Sequence, residues 1–329
     1  MLVDLGHIVY IETGAGAGCG YMDNEYKEAG AIVSLSPEEV FNKSNMILKV
    51  KEPQEFEVSL LKHGQILFTY LHLAASEPLT RGLISSGCTS IAYETITGSK
   101  GDLPLLTPMS MIAGRVAFQV GTHYLHKSHG GSGVLLSGAP GVKPGHITII
   151  GAGVVGGNAL QMAIGSGAKI TVVDKSITRL EELERLYFGK IHTLYASPEN
   201  IHQSVVDSDL VIGAVLIPGG KAPKVVKRST VEKMKPGSVI VDVAIDQGGC
   251  IETSRPTTHS DPTYLEAGVL HYCVTNMPGS YPLTSTNALI NSTFPYLIKL
   301  AEHESDILSM LKDDQHLANG LHTLPRPTV

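Results

Sequence analysis

One stretch of the 329-residue chain restricts its fold more than any other: residues 146–174, HITIIGAGVVGGNALQMAIGSGAKITVVD. An apolar run of strand length is followed at once by Gly151, Gly153 and Gly156 in G-x-G-x-x-G spacing, and then by a helical pattern. In such a turn the first glycine permits a tight reversal, the second lets the backbone approach a pyrophosphate, and the third lets helix pack on strand. The stretch therefore predicts a dinucleotide-binding β-α-β unit, with a purely structural glycine-rich turn as the alternative.

An acidic residue completes this pattern. Asp174 ends the next apolar run, about twenty residues after the glycines, where a carboxylate can accept hydrogen bonds from ribose hydroxyls. Its charge would repel a 2′-phosphate, so NAD is expected rather than NADP. A second glycine-rich stretch, GAGAGCG at residues 14–20, has no matching acidic residue at the end of a following strand, and we expect a plain loop there.

Short apolar runs separated by helix-length segments occur in two series, one from residue 6 to about 96 and one from residue 146 onward. Long helical patterns begin at Thr107 and at Pro282, one before and one after the second series. We expect an α/β fold of two Rossmann-like domains with mostly parallel sheets and an active-site cleft between them. The predicted domains are residues 1–106 with 283–329, carrying substrate and catalysis, and residues 107–282, binding NAD.

Composition excludes several other classes of protein. The formal net charge is −6 and the basic residues are scattered, so the chain lacks the basic surface that nucleic-acid binding requires. No signal peptide opens the chain and no apolar run of about 18 residues occurs, which argues against a membrane protein. Cys19, Cys88, Cys250 and Cys273 form no C-x-x-C pair and no Cys/His zinc spacing. They are expected to be reduced thiols of a cytoplasmic protein, and no metal site is predicted.

Three ionisable residues end apolar runs, where ligands gather in open α/β sheets. MILKVK ends at Lys51, ILFTYLH at His72 and SVIVDVAID at Asp246, which is followed by a flexible QGG. His72 titrates near neutrality and suits proton exchange during hydride transfer, and Lys51 suits polarising a carbonyl or pairing a carboxylate. Asp246 would orient water or ammonia and face a nicotinamide. The alternatives are a core histidine, a solvated lysine at a strand end and an aspartate that caps a turn.

Long motifs in this chain resemble the alanine dehydrogenase family, with the NAD(H)-binding component of proton-translocating transhydrogenase as a more distant relative. They are LKVKEP, GQILFTYLHLAA, TSIAYET, VIGAVLIPGGKAP, AIDQGGCIETSRPTTH and VTNMPGS. The resemblance covers essentially the whole chain. It implies reversible oxidative deamination of L-alanine to pyruvate and ammonia with NAD, by a homo-oligomer that is a hexamer in the bacterial enzymes.

The resemblance also assigns roles to individual residues. It implies that Lys51 binds substrate, that His72 is the acid/base and that Asp246 is catalytic. Cofactor contacts are implied for Ser110, Asp174, Arg179 and the Met277-Pro278 loop. The transhydrogenase alternative is disfavoured, because TITGSKGDLPLLTPMS replaces that component's characteristic loop and because that component has no histidine matching His72.

The amino terminus departs from the family pattern. The family chain begins with a strand and a segment whose arginine grips the substrate carboxylate, whereas this one begins at MLVDLGHIVYIE. We therefore expect either an N-terminally truncated form or a wrongly chosen start. Such a chain is expected to bind NAD and to turn alanine over poorly, and a catalytically impaired NAD-binding homologue is the alternative function.

Overall fold

The computed structural model describes residues 1–73, 76–217, 220–303 and 306–324. Residues 74–75 and 218–219, which fall within two of the motifs quoted above, lie outside the described part. The chain divides into two compact units, Met1–Met109 with Tyr281–Val329, and Ser110–Ser280. The predicted division into a substrate domain and an NAD-binding domain, at residues 107 and 282, stays a prediction.

The secondary structure alternates strands with helices, as the two series of apolar runs predict. The strands are β1 (Tyr10–Glu12), β2 (Ile32–Ser34), β3 (Met46–Leu48), β4 (Ile66–Thr69), β5 (Thr89–Ala92), β6 (His146–Ile150), β7 (Lys169–Asp174), β8 (His192–Tyr195), β9 (Leu210–Gly213), β10 (Val239–Asp242), β11 (Thr263–Glu266), β12 (Val269–Tyr272) and β13 (Leu321–Thr323). The helices are α1 (Asp23–Glu28), α2 (Pro37–Lys43), α3 (Glu55–Val58), α4 (Glu77–Ser86), α5 (Thr107–Tyr124), α6 (Val154–Ile164), α7 (Ile177–Leu186), α8 (Pro198–Val206), α9 (Arg228–Val231), α10 (Pro282–Glu302), α11 (Ile307–Asp313) and α12 (Gln315–Ala318).

The unit Ser110–Ser280 is built on a seven-stranded sheet in the order β11-β12-β10-β9-β6-β7-β8. All neighbouring strands are parallel except β11, which pairs antiparallel with β12. The strands β6, β9, β10 and β12 are buried along their whole length, as expected for a parallel sheet covered on both faces. The prediction of a mostly parallel α/β sheet is confirmed.

The described residues of the other unit form two sheets. One has the order β13-β5-β4-β3, with β3, β4 and β5 parallel and β13 antiparallel, and the other is the parallel pair β1-β2. Phe68 of β4 lies edge-on to Tyr93, with ring centroids 4.4 Å apart, and both belong to a buried cluster with Leu300 of α10. No helix in the described ranges is long and apolar enough to cross a bilayer.

A buried amide joins the residue ahead of β4 to the end of α2. Gln65 is 5% exposed, and its Nε2 donates to the carbonyl oxygens of Phe41 at 2.9 Å and Ser44 at 2.7 Å. Its Oε1 accepts the N–H of Lys62 at 3.1 Å. The side chain therefore satisfies backbone groups at the end of α2 and ahead of β4, and its bond to the Phe41 carbonyl is fully buried.

We predict that Gln65→Glu destabilises the protein, although it replaces only the side-chain NH₂ group by an oxygen. A carboxylate would face two carbonyl oxygens that lose their donor, and each unsatisfied buried polar group costs about 1 to 3 kcal/mol. The melting temperature should fall by several degrees in calorimetry. Gln161→Glu is the matched control, because Gln161 is exposed and already accepts a bond from the Arg115 guanidinium at 3.3 Å. Equal melting temperatures for the two variants would contradict the prediction.

Candidate functional site

The glycine turn after β6 has the geometry expected of a dinucleotide-binding loop. Gly151 has φ +96°, and a Cβ on it would lie 2.5 Å from the carbonyl oxygen of Ala214. A Cβ on Gly156 would lie 1.8 Å from the carbonyl oxygen of Gly151, so only glycine lets α6 pack this closely. Gly153, which directly precedes α6, has no atom within 4 Å of such a Cβ. The backbone at the second glycine thus faces open space, which a pyrophosphate can enter.

Two charged side chains brace this turn. Asp174 is the last residue of β7, and its carboxylate accepts the N–H of Ala152 at 2.6 Å and of Ser176 at 2.7 Å. Arg179 Nε donates to the carbonyl oxygen of Ala152 at 2.9 Å, and its guanidinium pairs with Glu182 at 2.9 Å. The structure therefore brings the glycine turn, Asp174 and Arg179 together, and their roles toward a cofactor stay predictions.

Ser110 lies half-buried in the first turn of α5. One turn later, a Cβ on Gly114 would be 2.2 Å from the carbonyl oxygen of Val155, and Arg115 Nε donates to Asn158 Oδ1 at 3.1 Å. These contacts place α5 against the first turns of α6, the helix that begins at the glycine turn. Ser110 precedes that contact by one helical turn on the same helix face.

The expectation that Asp246 ends a strand is wrong. β10 ends at Asp242, and Asp246 lies four residues later, exposed on a 3₁₀ helix spanning Val243–Gln247. Its carboxylate accepts the N–H of Asn276 at 3.2 Å, and Asn276 has φ +54° immediately before Met277 and Pro278. Asp246 and the buried Met277-Pro278 turn are thus brought together.

Asp242 explains why the strand stops where it does. Its buried carboxylate accepts the N–H groups of Ala244 at 3.1 Å and Cys250 at 2.9 Å, folding the following residues into the 3₁₀ helix. Burial raises the pKa of Asp242, and the backbone N–H donors act in the opposite direction. The QGG expected to be flexible is held as well, because Gln247 exchanges two hydrogen bonds with Ile217, at 2.9 and 3.1 Å.

His72 does not end a strand and is not a core residue. β4 ends at Thr69, three residues earlier, and the His72 side chain is 46% exposed, so the core-histidine interpretation is wrong. Its φ is +49°, a left-handed conformation that costs a non-glycine residue roughly 1 to 2 kcal/mol. Glu94 Oε1 accepts the N–H of His72 at 2.6 Å and of Leu71 at 3.1 Å. The imidazole also stacks on Tyr70, with ring centroids 5.8 Å apart.

Lys51 follows β3, which ends at Leu48, so it too lies three residues beyond its strand. Thr69 Oγ1 donates to the Lys51 carbonyl oxygen at 3.1 Å, which fixes the Lys51 backbone beside the end of β4. Its exposed ammonium makes no hydrogen bond or ion pair within the described ranges, whereas Lys49 pairs with buried Glu57 at 2.6 Å. Lys51 therefore presents an uncommitted cation at the carboxyl edge of this sheet.

Sequence reasoning missed Glu94. It lies two residues beyond β5, so Lys51, His72 and Glu94 follow three neighbouring parallel strands at one sheet edge. An acidic residue just after a strand was the available signal, in TSIAYET. Its contact with the backbone of His72 depends on a left-handed torsion that the sequence does not reveal.

Family models match both parts of the chain. The model described as "Alanine dehydrogenase/PNT, N-terminal domain" matches residues 1–113, and "Alanine dehydrogenase/PNT, C-terminal domain" matches residues 117–325. Among solved structures, an L-alanine dehydrogenase has a TM-score of 0.92 and 50% identity, covering 99% of this chain and 90% of that one. A transhydrogenase from Sinorhizobium meliloti has a TM-score of 0.81 and covers 99% and 92%, but at 24% identity it indicates the fold alone.

Curated relatives agree with the family models. The chain is 54% identical to alanine dehydrogenase of Halomonas elongata over 321 residues, which are 98% of this chain and 86% of that protein. It is 51% identical to alanine dehydrogenase of Mycolicibacterium smegmatis over 318 residues, which are 97% of this chain and 85% of that protein. The chain therefore belongs to the alanine dehydrogenase/PNT family, as its motifs predict.

Proposed function

We propose that this protein is an NAD-dependent L-alanine dehydrogenase, which reversibly deaminates L-alanine to pyruvate and ammonia. The observation that carries the proposal is the 54% identity to a curated alanine dehydrogenase across 98% of the chain. The geometry of the described residues supports the same chemistry. An open glycine turn suits a dinucleotide, and an exposed imidazole and a free ammonium at one sheet edge suit a small carboxylate substrate.

In this proposal NAD, when bound, supplies the hydride acceptor. The N–H groups at the start of α6 and the space beside Gly153 receive its pyrophosphate. Asp174 accepts hydrogen bonds from the adenosine ribose, because its carboxylate retains acceptor capacity beyond its two backbone bonds. The further residues proposed to contact NAD are Gly151, Gly156, Ser110, Arg179, Met277 and Pro278.

The remaining site residues bind substrate and move protons. L-Alanine, NAD⁺ and water give pyruvate, ammonium, NADH and one proton, and we assign acceptance of that proton to His72. Lys51 pairs its ammonium with the oxygens of the carboxylate or carbonyl group. Asp246 orients the water that enters and the ammonia that leaves.

The family resemblance also supports a proposal about assembly and location. We propose a cytoplasmic homo-oligomer, a hexamer as that resemblance implies, whose other partners are the small molecules L-alanine, pyruvate and ammonia. Light scattering on the purified protein measures the subunit number.

We predict that the wild-type chain forms NADH from L-alanine and that His72→Ala lowers kcat by roughly a hundred- to ten-thousand-fold, the usual contribution of an acid/base group. Titration of His72→Ala with NAD should give the wild-type Kd, because the residues proposed to bind NAD do not include His72. His63→Ala is the control, since His63 is an exposed histidine three residues ahead of the same strand, β4. Near-normal turnover by the His72 variant would overturn its role, and no NADH from the wild type would overturn the proposed function.

Glu94 is a positioning residue in this proposal, and its variants separate its hold on the backbone from the effect of its charge. Glu94→Ala leaves the N–H groups of Leu71 and His72 without their acceptor and releases the left-handed turn, so kcat should fall at least about tenfold. Glu94→Gln keeps an acceptor oxygen in place and should restore most of kcat. A Gln variant as slow as the Ala variant would mean that the carboxylate acts by its charge and not by holding the backbone.

Asp174 should set the preference for NAD over NADP. Like charges about 4 Å apart repel by roughly 1 to 4 kcal/mol, so Asp174→Ser should reduce the NAD/NADP ratio of kcat/KM by about tenfold. Glu181→Gln controls for removing a negative charge from α7, since Glu181 is exposed and pairs only weakly with Arg185, at 3.9 Å. An unchanged ratio in the Asp174 variant, or equal use of both cofactors by the wild type, would refute this role.

A further inference from the structure

Three histidines cluster at the carboxyl end of α5, in the segment HYLHKSH. We call His123, His126 and His129 the histidine triplet. All three are exposed, and one ring nitrogen of each lies within 4.8 Å of the corresponding nitrogens of the other two. The ring centroids of His123 and His129 are 4.0 Å apart, and His126 lies 5.7 and 5.8 Å from them. None of the three belongs to the site proposed above.

The distances between the ring nitrogens are close to those between the ligands of a bound transition metal. A tetrahedral ion with metal–nitrogen bonds of about 2.0 to 2.1 Å holds its ligand nitrogens about 3.3 Å apart. The triplet nitrogens would have to approach by about 1.5 Å at most, which exposed imidazoles achieve by small changes of side-chain torsion. A fourth ligand position would face solvent and take a water molecule.

The backbone that carries the triplet is already fixed. Between His123 and His126 lies Leu125, which is 1% exposed and whose carbonyl oxygen accepts the N–H of Gly133 at 2.8 Å. The N–H of His126 bonds to the carbonyl of His123 at 3.2 Å, and the N–H of His129 to that of His126 at 3.0 Å. Binding would therefore order only side chains, which lowers its entropic cost.

The position of the triplet on its helix favours a cation. The carboxyl end of α5, an 18-residue helix, adds a partial negative charge that attracts a cation. Imidazole donors suit Zn²⁺, Cu²⁺ and Ni²⁺, whereas Mg²⁺ and Ca²⁺ prefer oxygen ligands.

We propose that His123, His126 and His129 form a three-imidazole site for one divalent transition-metal ion per chain, separate from the dinucleotide site. The inference does not depend on the proposed catalytic activity. It rests on the mutual distances of the three rings, on their fixed backbone and on their place at a helix carboxyl end.

The test is a titration of the chelator-treated protein, prepared without a histidine tag, with ZnSO₄ in a calorimeter. One Zn²⁺ should bind per chain, and His126→Ala and His129→Ala should each raise the Kd at least about tenfold. His192→Ala, which removes an exposed histidine of β8 outside the triplet, should leave the Kd unchanged. Because the triplet side chains are exposed, all three variants should keep the wild-type melting temperature.

A spectroscopic measurement identifies the ligands directly. Co²⁺ added to the wild-type protein should give the visible absorption of a low-symmetry site with nitrogen ligands, and the triplet variants should lose it. The proposal is overturned if Zn²⁺ binds equally well to the wild type and the triplet variants, or does not bind. It is also overturned if binding occurs at one ion per two chains with a doubling of the mass, because the site would then be shared between copies.

Discussion

The parallel pairing of β6 with β9 is the contact on which the rest of the unit Ser110–Ser280 depends. From β6 the chain proceeds outward through β7 to β8, and it then returns to place β9 on the opposite side of β6. The two connections leave the sheet in opposite directions at this point, which opens a crevice at the carboxyl edge. Gly151 and Ala214 directly follow β6 and β9, and their closeness explains why a side chain is excluded at the first position of the turn.

One kind of side-chain contact recurs at the carboxyl edges of the seven-stranded and the four-stranded sheet. Carboxylates that follow or end strands accept backbone N–H groups and so fix the loops that carry the candidate site residues. Asp174 supports the glycine turn, Asp242 the 3₁₀ helix of Asp246, and Glu94 the turn of His72. Each of these carboxyl groups therefore holds the backbone beyond a strand end in one conformation.

Burial explains which parts of the fold could be predicted from the sequence. β6, β9, β10 and β12 are covered on both faces and appear as continuous apolar runs, so they were predictable. β8 and β11 are largely half-exposed, and only one residue of β13 is buried, so these strands do not appear as apolar runs.

For a related reason, the apolar pattern predicts that β3, β4 and β10 end three or four residues later than they do. In SVIVDVAID the apolar pattern continues past Asp242, but the Asp242 carboxylate accepts the N–H of Ala244 and folds the following residues into a 3₁₀ helix. In MILKVK the apolar pattern likewise continues past Leu48, where β3 ends. The error does not move Lys51, His72 or Asp246 away from the carboxyl edges, so the choice of candidates survives it.

The histidine triplet was overlooked because a search for Cys/His pairs passes over an all-histidine spacing.

The left-handed torsion of His72 limits which other residues this position can accept. Asparagine, aspartate and glycine accept a φ of +49° most readily, whereas valine, isoleucine and threonine accept it least. A saturation library at residue 72 would therefore score backbone compatibility and side-chain chemistry at once. Variation observed among active sequences at this position would understate how many side chains could perform the chemistry on an unconstrained backbone.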